Sequence, residues 1–73
     1  MKDYQERMKK EYNELKDRYI KLNQIIIKAE KGELDFELTS PLIFLKQQRD
    51  VMKKYLLILE KRGIYEGIEL WIT

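Results

Sequence analysis

Residues 8–29 read MKKEYNELKDRYIKLNQIIIKA, and apolar side chains recur in this stretch at alternating steps of four and three. The positions that follow this rule are Met8, Tyr12, Leu15, Tyr19, Leu22, Ile26 and Ala29. Because the alternation places them on one side of an α-helix, it predicts a long helix with a heptad seam. Asp3 and Glu6 have the spacing of a capping box, and Gly32 is typical of a helix end. We predict a first helix over about residues 3–31.

A second helix is predicted over about residues 41–62. Ser40 is the expected N-cap, Pro41 suits the first helical position, and Gly63 is the expected left-handed terminator. The predicted helix is rich in apolar side chains, at Leu42, Phe44, Leu45, Val51, Met52, Tyr55, Leu56, Leu57, Ile58 and Leu59. Such a stripe is wider than a single neighbouring helix covers, so part of it should contact another subunit or the C-terminal tail.

The expected fold is therefore all-α, an antiparallel two-helix hairpin in one domain spanning residues 1–73. The two seams should face each other through Met8, Tyr12, Leu15, Leu22 and Ile26 on one side and Leu45, Met52, Tyr55 and Leu59 on the other. A chain of 73 residues without cysteine lacks the core or the disulfides of a comfortably stable monomer. Four more apolar residues, Ile20, Ile27, Val51 and Ile58, lie off these seams. We therefore predict a homo-oligomeric helical bundle, either a dimer or a tetramer.

The connector and the tail show a different pattern from the helices. The connector over residues 32–40 alternates Leu34, Phe36 and Leu38 with acidic residues, and the tail over residues 63–73 alternates Ile68, Leu70 and Ile72. Alternation of period two predicts extended segments with one buried face. The two segments leave opposite ends of the second helix, about 33 Å apart at 1.5 Å per residue. Contact between them is therefore easier between neighbouring subunits than within one chain.

Composition excludes several classes of function. The chain contains no histidine and no cysteine, which removes the usual nucleophiles, imidazole bases and zinc sites, and no nucleotide-binding glycine loop is present. We expect no enzyme activity, no cofactor and no metal. The net charge of +2 is too small for a general nucleic-acid binder, so DNA is an improbable partner. No apolar run approaches the ~20 residues that span a bilayer, and we expect a cytoplasmic protein without a membrane partner.

Lys46, Arg49 and Lys53 form the most distinctive cationic row, at positions i, i+3 and i+7 of the second helix. Such a row is able to clamp an anion. Arg7 adds a further cation, while Tyr4, Tyr12 and Trp71 provide rings on which bases stack. These seven residues are the candidate ligand-binding set. The alternative is structural, because charged rows usually form solvated faces and tyrosines at heptad spacing usually pack in the core.

The chain also resembles a known group of proteins in residues of both helices. These residues are Tyr4, Arg7, Glu11, Tyr12, Glu14, Leu15, Arg18 and Leu22, then Leu42, Leu45, Gln48, Met52, Tyr55, Leu56, Leu59 and Arg62. With this pattern the chain is similar to the short helical-hairpin proteins of phages and prophages described as crAss-phage-related. Its ending, Glu66 to Leu70, resembles versions from phages of Gram-positive hosts.

The resemblance implies a role in immune evasion, because small oligomeric helical phage proteins include sponges that sequester nucleotide immune signals. The leading hypothesis is therefore a non-catalytic anti-defence protein that holds a nucleotide second messenger, such as a cyclic dinucleotide, at subunit interfaces. If phage-encoded, it would act in the host cytoplasm. The alternative is an oligomeric adaptor that binds a host protein through the apolar surface of the second helix and the tail.

Overall fold

The computed structural model describes the backbone of residues 2–70 and the side chains of residues 3–70. Two helices, α1 (Lys2–Glu30) and α2 (Leu42–Glu66), pack antiparallel along an elongated molecule of 46 × 19 × 17 Å. No strand occurs in the described part of the chain. The prediction of an all-α hairpin is therefore confirmed.

The core lies mostly at one end of the hairpin, where α1 begins and α2 finishes. Its buried cluster is formed by Met8, Tyr12, Leu15, Leu56, Leu59, Ile68 and Leu70, with Tyr19 and Met52 packed against it. We call this half the terminal end, and the half next to residues 31–41 the connector end. Ile26 is fully buried toward the connector end. The heptad seam of α1 therefore faces α2 as the sequence predicts.

One member of the predicted interface lies at its edge and not in the core. Tyr55 is exposed over 40% of its surface, and Leu56 occupies the core beside Leu59 instead. Leu56 and Leu59 are three residues apart on one helical turn, whereas Tyr55 is rotated by about 100° from Leu56 and lies on the flank. Four apolar residues predicted to lack cover within one chain, Ile20, Ile27, Val51 and Ile58, are exposed.

The ends of α2 also differ from the prediction. Pro41, not Ser40, occupies the N-cap position, with ψ 143° and no side-chain cap, and its carbonyl accepts the Phe44 N–H at 3.0 Å. The helix does not stop at Gly63 but continues to Glu66, and Gly67 is the left-handed terminator with φ 70°. Gly63 is buried within the helix. Glycine is needed there for space, because a Cβ would lie 2.9 Å from the Ile68 carbonyl oxygen and 3.1 Å from Leu70.

The tail folds back on its own chain. Its Ile68 N–H donates to the Gly63 carbonyl at 2.8 Å and the Gly67 N–H donates to the Ile64 carbonyl, which together form a Schellman turn. This turn directs Ile68 and Leu70 into the core cluster. The Leu70 carbonyl accepts the Asn13 side-chain amide at 3.1 Å. The tail is thus part of the terminal-end core, while Ile72 lies outside the described residues.

The connector does not form the predicted extended segment. It consists of turns and bends, with Leu34 and Leu38 half-buried but Phe36 exposed over 54% of its surface. Gly32, at φ 70°, ends α1 in a second Schellman turn, in which the Glu33 N–H donates to the Lys28 carbonyl at 2.8 Å. Neither α1 nor α2 is long and apolar enough to cross a membrane.

Candidate functional site

Two adjoining hollows lie between α1 and α2 at the terminal end. One, of about 350 Å³, is lined by Arg7, Lys10, Glu11, Glu14, Leu15, Arg18 and Tyr55. The other, of about 320 Å³, is lined by Tyr4, Arg7, Met8, Glu11 and Arg62. Because Arg7 and Glu11 line both, we treat the two hollows as one site and call it the terminal cleft. It is shallow and open to solvent, and charged side chains and two aromatic rings make up most of its lining.

Hydrogen bonds between the helices hold the aromatic rings of the terminal cleft. The Tyr55 hydroxyl donates to the Glu11 carboxylate, and Arg62 donates to the Tyr4 hydroxyl. The bond to Glu11, with a smaller effect of burial, raises the pKa of Tyr55. Charge interaction with Tyr4 raises the pKa of Arg62, so this guanidinium stays charged throughout the physiological range. Each bond joins α1 to α2 and restricts the orientation of a ring.

The charges of the terminal cleft are predominantly positive. Its lining has four cations, Arg7, Lys10, Arg18 and Arg62, against the two carboxylates of Glu11 and Glu14. Arg62 lies 3.4 Å from Glu66. Among the side chains that the structure describes, none forms an ion pair with the other three cations. Their charges therefore remain available to an anionic ligand.

The structure brings together only part of the predicted binding set. Arg7 and Tyr4 line the terminal cleft together. Tyr12 is buried in the core, where its hydroxyl donates to Glu60 at 2.7 Å. Burial first, and then Glu60, raises the pKa of Tyr12 to about 12. Trp71 lies outside the described residues.

The cationic row of α2 lies elsewhere, and two of its members have acidic partners. Lys46 pairs with Glu30 at 2.8 Å, which lowers the pKa of Glu30. Arg49 contacts Asp50 at 3.2 Å and the side-chain oxygen of Asn23 at 3.4 Å. These residues are near the connector end, and Arg49 is 13 residues before Arg62, about 20 Å along the helix.

The third member of the row, Lys53, lines a separate and mainly apolar groove. Ile20 and Leu57 contribute apolar walls to this groove, and Tyr12 and Glu60 also border it. Within one chain, the predicted row and the terminal cleft are therefore different surfaces.

Arg62 is a candidate that sequence reasoning missed as a binding residue. In the sequence it reads as a cation placed to favour the end of a helix. Its spacing from Tyr55 was the available signal, because residues seven apart lie on the same side of a helix. The partner that completes the arrangement, Tyr4, is 58 residues away along the chain. Only the antiparallel packing of α1 and α2 brings Tyr4 to Arg62.

The family model described as Sequestin matches residues 2–63. The match covers most of the chain, including all of α1 and most of α2, and the chain therefore belongs to the Sequestin family. The matched range contains every residue that lines the terminal cleft. No curated protein and no solved structure matches the chain.

Proposed function

We propose that this Sequestin-family chain is a non-catalytic protein that sequesters a nucleotide immune signal, such as a cyclic dinucleotide, at subunit interfaces. The observation that carries the proposal is the terminal cleft, where Arg7, Lys10 and Arg18 lack described acidic partners beside the rings of Tyr4 and Tyr55. The family name itself denotes sequestration. The anti-defence role and the phage origin rest on the resemblance to small phage proteins.

The cations of the terminal cleft suit phosphate groups. A guanidinium donates two parallel hydrogen bonds to phosphate oxygens, which a free arginine does better than one already bound to a carboxylate. Arg7 borders both hollows, so it is able to reach a ligand in either. Glu11 and Glu14 oppose an anion, but the Glu11 carboxylate already accepts the Tyr55 hydroxyl. The cations outnumber these two carboxylates, and the cleft therefore favours an anionic ligand over a cationic one.

The two tyrosines suit nucleobases. Tyr4 and Tyr55 are exposed over 38% and 40% of their surfaces, so part of each ring is open to a ligand. Stacking of a base on an aromatic ring contributes about 1–3 kcal/mol and tolerates any base. Because Arg62 and Glu11 bind the hydroxyls, the rings are held before the ligand arrives. Less conformational freedom is then lost on binding.

Calorimetric titration with a panel of cyclic dinucleotides tests the proposal. We expect wild-type protein to release heat with at least one of them and to melt at a higher temperature in its presence. Arg7→Ala should weaken that binding by about one to two decades, because it removes a charge-assisted phosphate contact. Arg49→Ala is the matched control at the connector end. If none of the nucleotides releases heat on titration into the wild-type protein, the proposal is wrong.

The control also decides between the two cationic surfaces. The sequence pattern alone predicts that Arg49→Ala weakens binding by about one to two decades. The packing of α1 and α2 instead favours a small effect, since Arg49 is already bonded to Asp50 and Asn23. If Arg49→Ala abolishes binding while Arg7→Ala has no effect, the ligand site lies at the connector end.

The adaptor hypothesis is kept because the last turn of α2 exposes apolar surface. Ile64 and Tyr65 are exposed over 76% and 93% of their surfaces. An adaptor would bind its host protein through such residues. Titration of an adaptor with nucleotides would release no heat. Its binding to the host protein would be lost in Ile64→Asp or Trp71→Ala and would be unchanged in Arg7→Ala.

A further inference from the structure

A second heptad row runs along the outside of α2, apart from the side that packs on α1. Phe44, Val51, Ile58 and Tyr65 follow one another at intervals of seven residues and are exposed over 58%, 65%, 53% and 93% of their surfaces. We call these four residues the outer row. Seven-residue spacing over three intervals places all four on one side of the helix. The outer row is therefore continuous along nearly the whole of α2.

No described part of the chain buries the outer row. Fully exposed aromatic side chains present about 150–250 Å² each, so Phe44 and Tyr65 alone leave a few hundred Å² in water. The largest contiguous apolar patch on a typical monomeric protein is ~300–600 Å² and is often functional. The chain has few buried side chains of its own, and a further apolar interface would add to a small core.

The order of residues in the outer row indicates what covers it. Read from either end, the row gives an aromatic ring, a β-branched aliphatic side chain, a second β-branched aliphatic side chain and an aromatic ring. Its midpoint falls between Lys54 and Tyr55. A two-fold axis at this midpoint would place Phe44 near Tyr65 of the second copy and Val51 near its Ile58. An interface between identical subunits requires this kind of self-complementarity.

We infer that two copies of the chain pair through their outer rows, with the two α2 helices antiparallel about a two-fold axis beside Lys54 and Tyr55. Val51 and Ile58 form the centre of the interface and the aromatic rings close its two ends. The pairing does not depend on the ligand. It gives the homo-oligomer expected from the sequence a specific surface and symmetry.

The pairing also affects the terminal cleft. Tyr55 and Arg62 each follow a residue of the outer row by four positions, so they border it on the side toward α1. A second copy seated on the outer row would therefore approach the open mouth of the terminal cleft. If the proposed function is correct, the ligand is enclosed by both subunits and each dimer has two equivalent clefts.

Ile58→Asp tests the interface, with Leu57→Asp as its matched control. The two neighbours are similarly exposed, at 53% and 48%, but Leu57 borders the groove near Ile20 on another side of α2. Wild-type protein and Leu57→Asp should sediment as dimers at micromolar concentration. Ile58→Asp should be a folded monomer by circular dichroism, with a dimer Kd raised by roughly two decades or more. A monomeric wild type, or equal loss in both variants, would overturn the inference.

Disulfide trapping tests the antiparallel symmetry, since the chain has no cysteine of its own. Lys54→Cys lies beside the axis and should cross-link to its own copy under mild oxidation. Gln47→Cys and Lys61→Cys should each remain uncross-linked alone but form a heterodimer when mixed. Cross-linking of Gln47→Cys to itself would show parallel helices and contradict the inference.

Binding of wild-type protein to anionic vesicles is the outcome that would assign the outer row to a membrane surface. It would count against the inference if Ile58→Asp abolished vesicle binding while the wild type stayed monomeric.

Calorimetric titration of nucleotides, read beside the oligomeric state of the wild type and of the monomeric Ile58→Asp variant, separates this inference from the proposed function. Absence of nucleotide binding to a wild-type dimer removes the proposed function and leaves the pairing intact.

Discussion

The terminal and connector ends of the hairpin differ in how they are packed. At the terminal end, the tail residues Ile68 and Leu70 close a cluster that includes Leu59, which is fully buried. At the connector end, Ile26 is buried, but Leu45 is only half-buried and Phe44 is exposed. The difference arises because the tail buries Ile68 and Leu70 at one end, while the connector contributes only the half-buried Leu34 and Leu38 at the other. Stability should therefore be concentrated at the terminal end.

The same two ends differ in the use of their cations. Lys46 at the connector end is bound to Glu30, whereas Arg7 at the terminal end has no acidic partner among the described side chains. A cation in a surface ion pair adds little stability and is less available to a ligand. The comparison teaches that positive charge in the sequence marks a binding site only where the fold leaves it without a partner.

The largest expected difference between the ends is in core truncation. Leu59→Ala should lower the free energy of unfolding by about 3–5 kcal/mol, because it leaves a cavity in the closed cluster. Leu45→Ala, the same change at a half-buried site, should cost less than about 2 kcal/mol. Urea denaturation followed by circular dichroism, at matched protein concentration, measures both. Equal losses would show that the two ends are equally packed.

A smaller effect is expected from adding one methyl group to a glycine at each end. Gly63→Ala should destabilise the fold by about 1–3 kcal/mol despite the better helix propensity of alanine, because the new Cβ would displace Ile68 and Leu70. At Gly32 a new Cβ would lie in open space, but the backbone is left-handed. Gly32→Ala should therefore lower the free energy of unfolding by about 1–2 kcal/mol. Thermal denaturation compares them. A stabilised Gly63→Ala would mean that the tail is not packed on α2.

The smallest expected effect is a dependence on alkaline pH at the terminal end. The pKa of Tyr12 is raised from 10.0 to about 12, so the folded state favours the neutral phenol. This contribution to stability is complete below pH 10 and is lost as the pH rises through about 12. Tyr12→Phe should lack that part of the pH dependence. If wild type and Tyr12→Phe lose stability in parallel over this range, the pKa of Tyr12 is not raised in the folded state.

Local patterns predicted the helices and their pairing because these depend on neighbours along the chain. The seam from Met8 to Ile26 sets which side of α1 is buried, whatever lies opposite. The same reasoning misplaced Tyr55, because its neighbour Leu56 is equally apolar and periodicity does not rank adjacent residues. It also placed the helix terminator at Gly63. In a sequence, a glycine that is needed for close packing looks the same as a glycine that is needed for a positive φ.

The candidate site was predicted only in part. Arg7 and Tyr4 were chosen for their side-chain chemistry, and the fold brings them together beside Arg62. Lys46 and Arg49 were chosen for their spacing, with Asp50 visible as the one acid beside the row, but the pairing of Lys46 with Glu30 was not visible in the row itself. Glu30 is 16 residues from Lys46 and on the other helix, so this pair depends on how the helices align.

The sequence by itself determined that the chain forms two amphipathic helices, that they pair antiparallel, and that apolar side chains remain outside the pairing. These properties follow from the order of apolar and polar residues at helical spacing, a local quantity. Only the tertiary structure decided that the tail returns to Gly63, that Leu56 displaces Tyr55 from the core, and which cations keep their charge free. Each of these depends on distances between residues far apart in the chain, which helical periodicity does not encode.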